Sequence, residues 1–114
     1  MQIQIRQHNL EPNRELAEFV ERRIQFSLGR FNGRLRSTVV SLQDLNGPRG
    51  GVDQECRITV HTAWGSEIVI TERHSDSFAA VACATERAGR AVRRQIGLRL
   101  NSPSRGPAEF ELED

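Results

Sequence analysis

Residues 73–100 read RHSDSFAAVACATERAGRAVRRQIGLRL. This stretch predicts one long helix with two unlike faces. Phe78, Val81, Thr85, Ala88, Val92 and Ile96 recur at spacings of three and four, the mark of a stripe that faces a core. Arg87, Arg90 and Arg94 fall together on the opposite side, at i, i+3 and i+7. Arg93 flanks them and Arg99 extends the charge toward the end. Ser75 or Asp76 can cap the start, because a short polar oxygen accepts a bond from an unpaired first-turn N–H. Arginines in the last turns suit the negative end of the helix dipole. One face anchors the helix, and the other holds fixed positive charge toward something outside.

The segments before this helix alternate. Residues 1–9 place Ile3 and Ile5 on one face and Gln2, Gln4 and Arg6 on the other, which predicts a strand with one buried face. Pro12 and Asn13 break it, and Asn13 is a good N-cap for a helix running to about residue 28. Leu16, Phe19, Val20, Ile24 and Leu28 form the stripe of that helix. Arg22, Arg23 and Arg30 gather toward its end, where each offsets the dipole. Gly29 and Gly33 are expected to close the helix or its exit loop.

Three more strands are expected at 35–45, 52–62 and 67–73. In the second of these Cys56, Ile58 and Val60 point inward and Arg57, Thr59 and His61 outward. The run 46–51, NGPRGG, reads as a mobile hairpin tip. Ala63-Trp64-Gly65-Ser66 reads as a tight hairpin connection. The order β-α-β-β-β-α gives an α+β fold: a four-stranded sheet with two helices packed on one face, which buries every apolar stripe at once. The other sheet face meets solvent.

A chain of 114 residues allows one domain with one core. The expected boundaries are a single domain over 1–100 and a short acidic, flexible tail over 101–114. Net charge is only +1, but it is unevenly spread. Residues 73–100 carry six Arg against Asp76 and Glu86, a balance of +4; residues 101–114 carry one Arg against four acids, a balance of −3. All sixteen basic residues are Arg. Arg is always charged and presents a planar fork that fits phosphate and stacks on bases.

The two cysteines do not form a disulfide framework. Cys56 reads as a small core residue, and Cys83 lies near the Arg face. No apolar run reaches the length of a membrane span, and the alternating N-terminus is not a signal peptide, so a cytoplasmic protein is expected. No H-x-x-x-H, C-x-x-C, D-x-D, G-x-S-x-G or Walker-type pattern occurs. The expectation is therefore no enzyme, no catalytic residue, no metal, no cofactor and no small-molecule substrate.

Arg73-His74-Ser75-Asp76-Ser77-Phe78-Ala79-Ala80-Val81 resembles the junction of last strand and final helix in the ribosome hibernation promoting factor and ribosome-associated inhibitor family. The chain looks like a short, sigma-54 modulation protein-like form. The family pattern there is basic, often His, any residue, Asp, any residue, aromatic, small, Ala, aliphatic. MQIQIR, then Asn9-Leu10-Glu11, then L-x-x-F-V-x-x-R-I from Leu16 to Ile24, resembles its opening strand and first helix. The resemblance covers about residues 1–97. It implies a fold similar to a double-stranded RNA-binding domain. It also implies binding to the small ribosomal subunit in the mRNA–tRNA channel, stopping translation under stress or in stationary phase.

By that resemblance Arg73, His74, Arg87, Arg90 and Arg94 stand at basic or polar positions that face ribosomal RNA, and Arg23 at a basic position of the first helix. With Arg93 they form the candidate RNA-binding set. Three departures stand out. Ala82 and Gly89 replace residues that are often polar or acidic, and Gly89 is expected to weaken the helix by about 1 kcal/mol relative to Ala. Phe78 replaces the more usual Tyr. The C-terminal domain with which long members pair ribosomes is expected to be lacking, so a monomer is expected, with weak homo-oligomerisation as the alternative. The competing readings are a protein-interaction module on the same fold that has left the ribosome, and a general binder of structured RNA.

Overall fold

The structure is a computed structural model, and it describes residues 1–8, 13–45 and 53–101, except for the side chains of 100 and 101. The alternation at the N-terminus becomes strand β1 (Gln2–His8), whose Ile3 and Ile5 pack against the core while Gln2, Gln4 and Arg6 are exposed. Helix α1 (Arg14–Leu28) starts where Asn13 accepts a hydrogen bond from the Leu16 N–H at 3.1 Å. Its buried residues are Leu16, Val20, Ile24 and Leu28, as the stripe requires. Phe19 is partly buried and meets Phe78 with ring centroids 5.2 Å apart. Gly29 caps α1, but the chain continues turning as a 3-10 helix, Gly29–Arg34.

Strands β2 (Leu35–Asp44), β3 (Gln54–Thr62) and β4 (Glu67–His74) follow, and helix α2 (Ser77–Asn101) ends the described chain. The sheet order is β1-β2-β3-β4. β1 runs parallel to β2, with Ile5 opposite Val40. The other pairs are antiparallel, with Ile58 of β3 opposite Val40 on one side and Ile70 on the other. The expected α+β fold is present. Both helices pack on one face, where Val40, Leu42, Cys56, Ile58 and Val60 are buried with the stripes of α1 and α2. Val69, on the opposite face, is 52% exposed. The segment 46–51 and the tail beyond Asn101 lie outside the described residues. No helix among the described residues is long and apolar enough to cross a membrane.

Two details fix α2 in place. Asp76, rather than Ser75, caps it: its Oδ1 accepts from the Phe78 N–H at 3.3 Å and its carbonyl from the Ala80 N–H at 3.0 Å. At the other end the β3–β4 turn grips the helix. Gly65 sits at φ 96°, the left-handed region a side chain disfavours. The turn closes through Thr62 and Ser66, and the Ser66 hydroxyl donates to Gln95 of α2 at 3.1 Å. The Arg99 guanidinium lies 4.5 Å over the Trp64 ring.

Gly89 has a role that helix propensity alone does not show. A Cβ there would come within 3.1 Å of the Ser27 carbonyl oxygen on α1. The glycine marks a point where the backbones of the two helices come close together, at Ser27. Gly89→Val is expected to force the helices apart and destabilise the fold by about 1–3 kcal/mol. Urea denaturation measures this as a lower midpoint.

Candidate nucleic-acid interface

Because α2 buries Val81, Thr85, Ala88, Val92 and Ile96, the 3.6-residue period turns Arg87, Arg90, Arg93 and Arg94 to the exposed side. They form a fan rather than a single line. Arg87 leans to β4: its Nη1 donates to the Thr71 carbonyl at 3.0 Å and to Glu72 Oε2 at 2.6 Å. Arg90 and Arg93 lean to α1, where they line an open depression of about 610 Å³ with Arg23, Phe26, Ser27 and Arg30. Arg90 has Glu86 at 3.6 Å, one turn back. Arg93 and Arg94 have no ion-pair partner among the described residues.

The remaining candidates are placed less uniformly. Arg73 is exposed but holds the buried Glu55 at 3.0 Å. His74 Nε2 lies 3.1 Å from Glu72 Oε1. Arg23 turns toward α2: its Nε donates to Thr85 Oγ1 at 3.3 Å and its Nη2 to the Ala82 carbonyl at 3.4 Å. Thr85 is fully buried, and its hydroxyl also donates to the Val81 carbonyl at 2.8 Å. Arg23 therefore ties the two helices together as well as lining the depression. The sequence does not distinguish these cations, because it cannot show which acids the fold brings beside them.

Two features escaped the sequence reading. Phe26 falls off the α1 stripe and is 81% exposed, with the Arg23 guanidinium 5.8 Å from its ring centroid. An exposed aromatic among arginines offers a stacking face as well as charge. Its departure from the period-3.6 stripe was the available signal. The second is a cluster of donors: one oxygen of Glu72, a ring nitrogen of His74 and the sulfur of Cys83 lie within 4.8 Å of one another. Glu72 and His74 alternate on β4 while Cys83 comes from α2, so no short spacing motif could reveal it. Arg87, chiefly through its hydrogen bond, holds the Glu72 carboxyl below its ordinary value, against the opposing effect of burial. Burial, with the charges of Glu55 and Glu72 behind it, pushes the Cys56 thiol up to about 12, which keeps it an inert core residue.

Two solved structures share this fold. The N-terminal domain of Protein Y from Thermus thermophilus is 23% identical, with a TM-score of 0.68 over 83% of this chain and 99% of that one. A ribosomal subunit interface protein from Coxiella burnetii is 13% identical, with a TM-score of 0.69 over 85% and 99% of the two chains. At these identities the likeness establishes the fold. A comparison with curated proteins gives no match. The family model described as sigma 54 modulation protein / S30EA ribosomal protein matches residues 3–97, and the chain belongs to that family. Its members are binding factors and not enzymes.

The geometry separates cations that hold the fold from those that do not. Arg23→Ala should destabilise the protein by about 1–2 kcal/mol through lost hydrogen bonds and packing. Arg93→Ala should stay within about 0.5 kcal/mol of the parent. Urea midpoints of the two variants check the contrast.

Proposed function

We propose that this protein is a non-enzymatic ribosome-binding factor that occupies the mRNA–tRNA channel of the small subunit through the arginine face of α2, and so inhibits translation under stress or in stationary phase. Family membership and the fold shared with ribosomal subunit interface proteins support the ribosome as partner. The observation that carries the surface is the pair Arg93 and Arg94, exposed on a rigid helix with no acidic partner among the described residues. Such cations exchange small counterions for RNA phosphates, and binding gains from the ions released. Arg30 and Arg90 extend the positive surface across the depression, and Phe26 adds a stacking face within it.

A second reading is a protein-interaction module on the same fold. It is favoured by the pairing of Arg73, Arg87 and Arg90 with Glu55, Glu72 and Glu86, which offsets part of the positive field from within the chain. The two readings differ in salt dependence, since only phosphate binding releases a counterion for each contact.

Co-sedimentation with small subunits across a salt series tests both. The parent should bind near one copy per subunit and weaken steeply as salt rises. Combined substitution of Arg90, Arg93 and Arg94 by Glu should abolish binding at moderate salt while leaving the circular dichroism spectrum intact. Neutral Gln at the same positions should flatten the slope of log K against log salt by about 2. Unchanged binding by the Glu variant would reject this surface, and salt-independent binding would favour the protein-interaction reading.

A further inference from the structure

We propose that Glu72, His74 and Cys83 form a binding site for a thiophilic divalent cation of the zinc class, at the junction of β4 and α2. The proposal stands apart from ribosome binding and does not require it. Three donors of different chemistry meet here: a carboxylate oxygen, an imidazole nitrogen and a thiol sulfur, mutually within 4.8 Å. All three residues are half-buried. The hydrogen-bonded contact of Glu72 with His74 accounts for those two side chains by itself. It gives no reason for a cysteine sulfur to stand beside them.

The scaffold suits a metal. Glu72 and His74 lie two residues apart on a strand paired along its length with β3, Glu72 opposite Cys56 and His74 opposite Gln54. That alternation places both side chains on the helix-facing side, where the first turns of α2 present Cys83. A tetrahedral zinc ion with bonds of about 2.0–2.3 Å needs ligands roughly 3.3–3.7 Å apart, so contraction by roughly 1 Å would complete three corners. Glu72 and His74 already approach to 3.1 Å. A sulfur donor beside imidazole selects zinc-like ions over magnesium or calcium.

The surroundings supply an outer partner as well. Arg87 takes Glu72 Oε2, leaving Oε1, the oxygen that faces His74. A metal on Oε1 would displace the contact between carboxylate and imidazole without displacing Arg87, which orients the carboxylate from behind. On binding, the Cys83 thiol gives its proton to solvent and the sulfur donates its electron pair to the cation. Thiolate, carboxylate and a divalent ion then sum to zero charge, where carboxylate and thiol alone carry −1, so binding removes one negative charge from beside the arginine face. Three protein ligands leave the fourth corner to water or another ligand.

The test uses the full chain, freed of metal by a chelator and then titrated with cobalt(II). The expected result is uptake of one cobalt per chain, with thiolate-to-cobalt charge transfer in the near ultraviolet and the strong visible bands of a four-coordinate ion. Zinc should bleach both by displacement, and zinc alone should raise the melting temperature. Cys83→Ser should lose the charge-transfer band, and His74→Gln should weaken uptake at least tenfold. His61→Gln and Cys56→Ala should leave uptake unchanged. The circular dichroism spectrum of each variant, recorded before titration, shows that it is folded. No cobalt uptake at millimolar metal by the parent would overturn the proposal. So would charge transfer that survives in Cys83→Ser, or that disappears in Cys56→Ala.

Discussion

Two helices have to share one face of a four-stranded sheet. The outer strands of such a sheet stand about 14 Å apart, and packed helices need about 8–10 Å between axes. The helices fit only if they come close to each other and to the strands. The inner surface of α2 meets this demand with small residues: Ala80, Ala84 and Ala88 are buried beside Val81 and Val92, and Gly89 touches Ser27 of α1. The crossing also sets the function-bearing surface. Because α2 lies tight against both α1 and β4, its arginines project along two seams, one filled by Arg87 with Glu72 and the other open between Arg90, Arg93 and α1.

The seams differ in how much order they already hold. Arg87 is fixed by a carboxylate and a backbone carbonyl, so it loses little side-chain entropy on meeting a ligand, but its charge is partly offset. Arg93 and Arg94 are exposed and have no ion-pair partner among the described residues. A surface of this kind combines a preset edge with an adaptable one. Arginine suits both: the planar fork can lock at one site and reach for phosphate at another.

Much of the fold was legible because its signals are local. Period-2 alternation marked the strands, and the stripe from Phe78 to Ile96 marked α2. The caps were legible too, down to a choice between Ser75 and Asp76 that hydrogen bonding settled for Asp76. What stayed hidden depends on contacts distant in sequence. Gly89 looked like a weakness of the helix, and only the approach of Ser27 shows it as a packing requirement. Arg23 looked like one more surface cation until Thr85, far along the chain, proved to be its partner. Spacing along α2 marked Arg87, Arg90, Arg93 and Arg94, and the family resemblance marked Arg23, Arg73 and His74, but two neutralising acids stayed hidden, because Glu55 meets Arg73 through strand register and Glu72 meets Arg87 across the packing of α2 on β4.

The parallel pairing of β1 with β2 bears on how the chain assembles as it is made. A ribosome makes β1 before its sheet neighbour β2, which among the described residues begins at Leu35, beyond a helix and a 3-10 segment. Antiparallel partners joined by short turns can zip as they emerge, whereas this strand must wait for a distant mate and then enter at the edge of the sheet. Until then Ile3 and Ile5 have no strand partner. Helix α1, formed from local contacts, gives the nascent chain its earliest means of covering them.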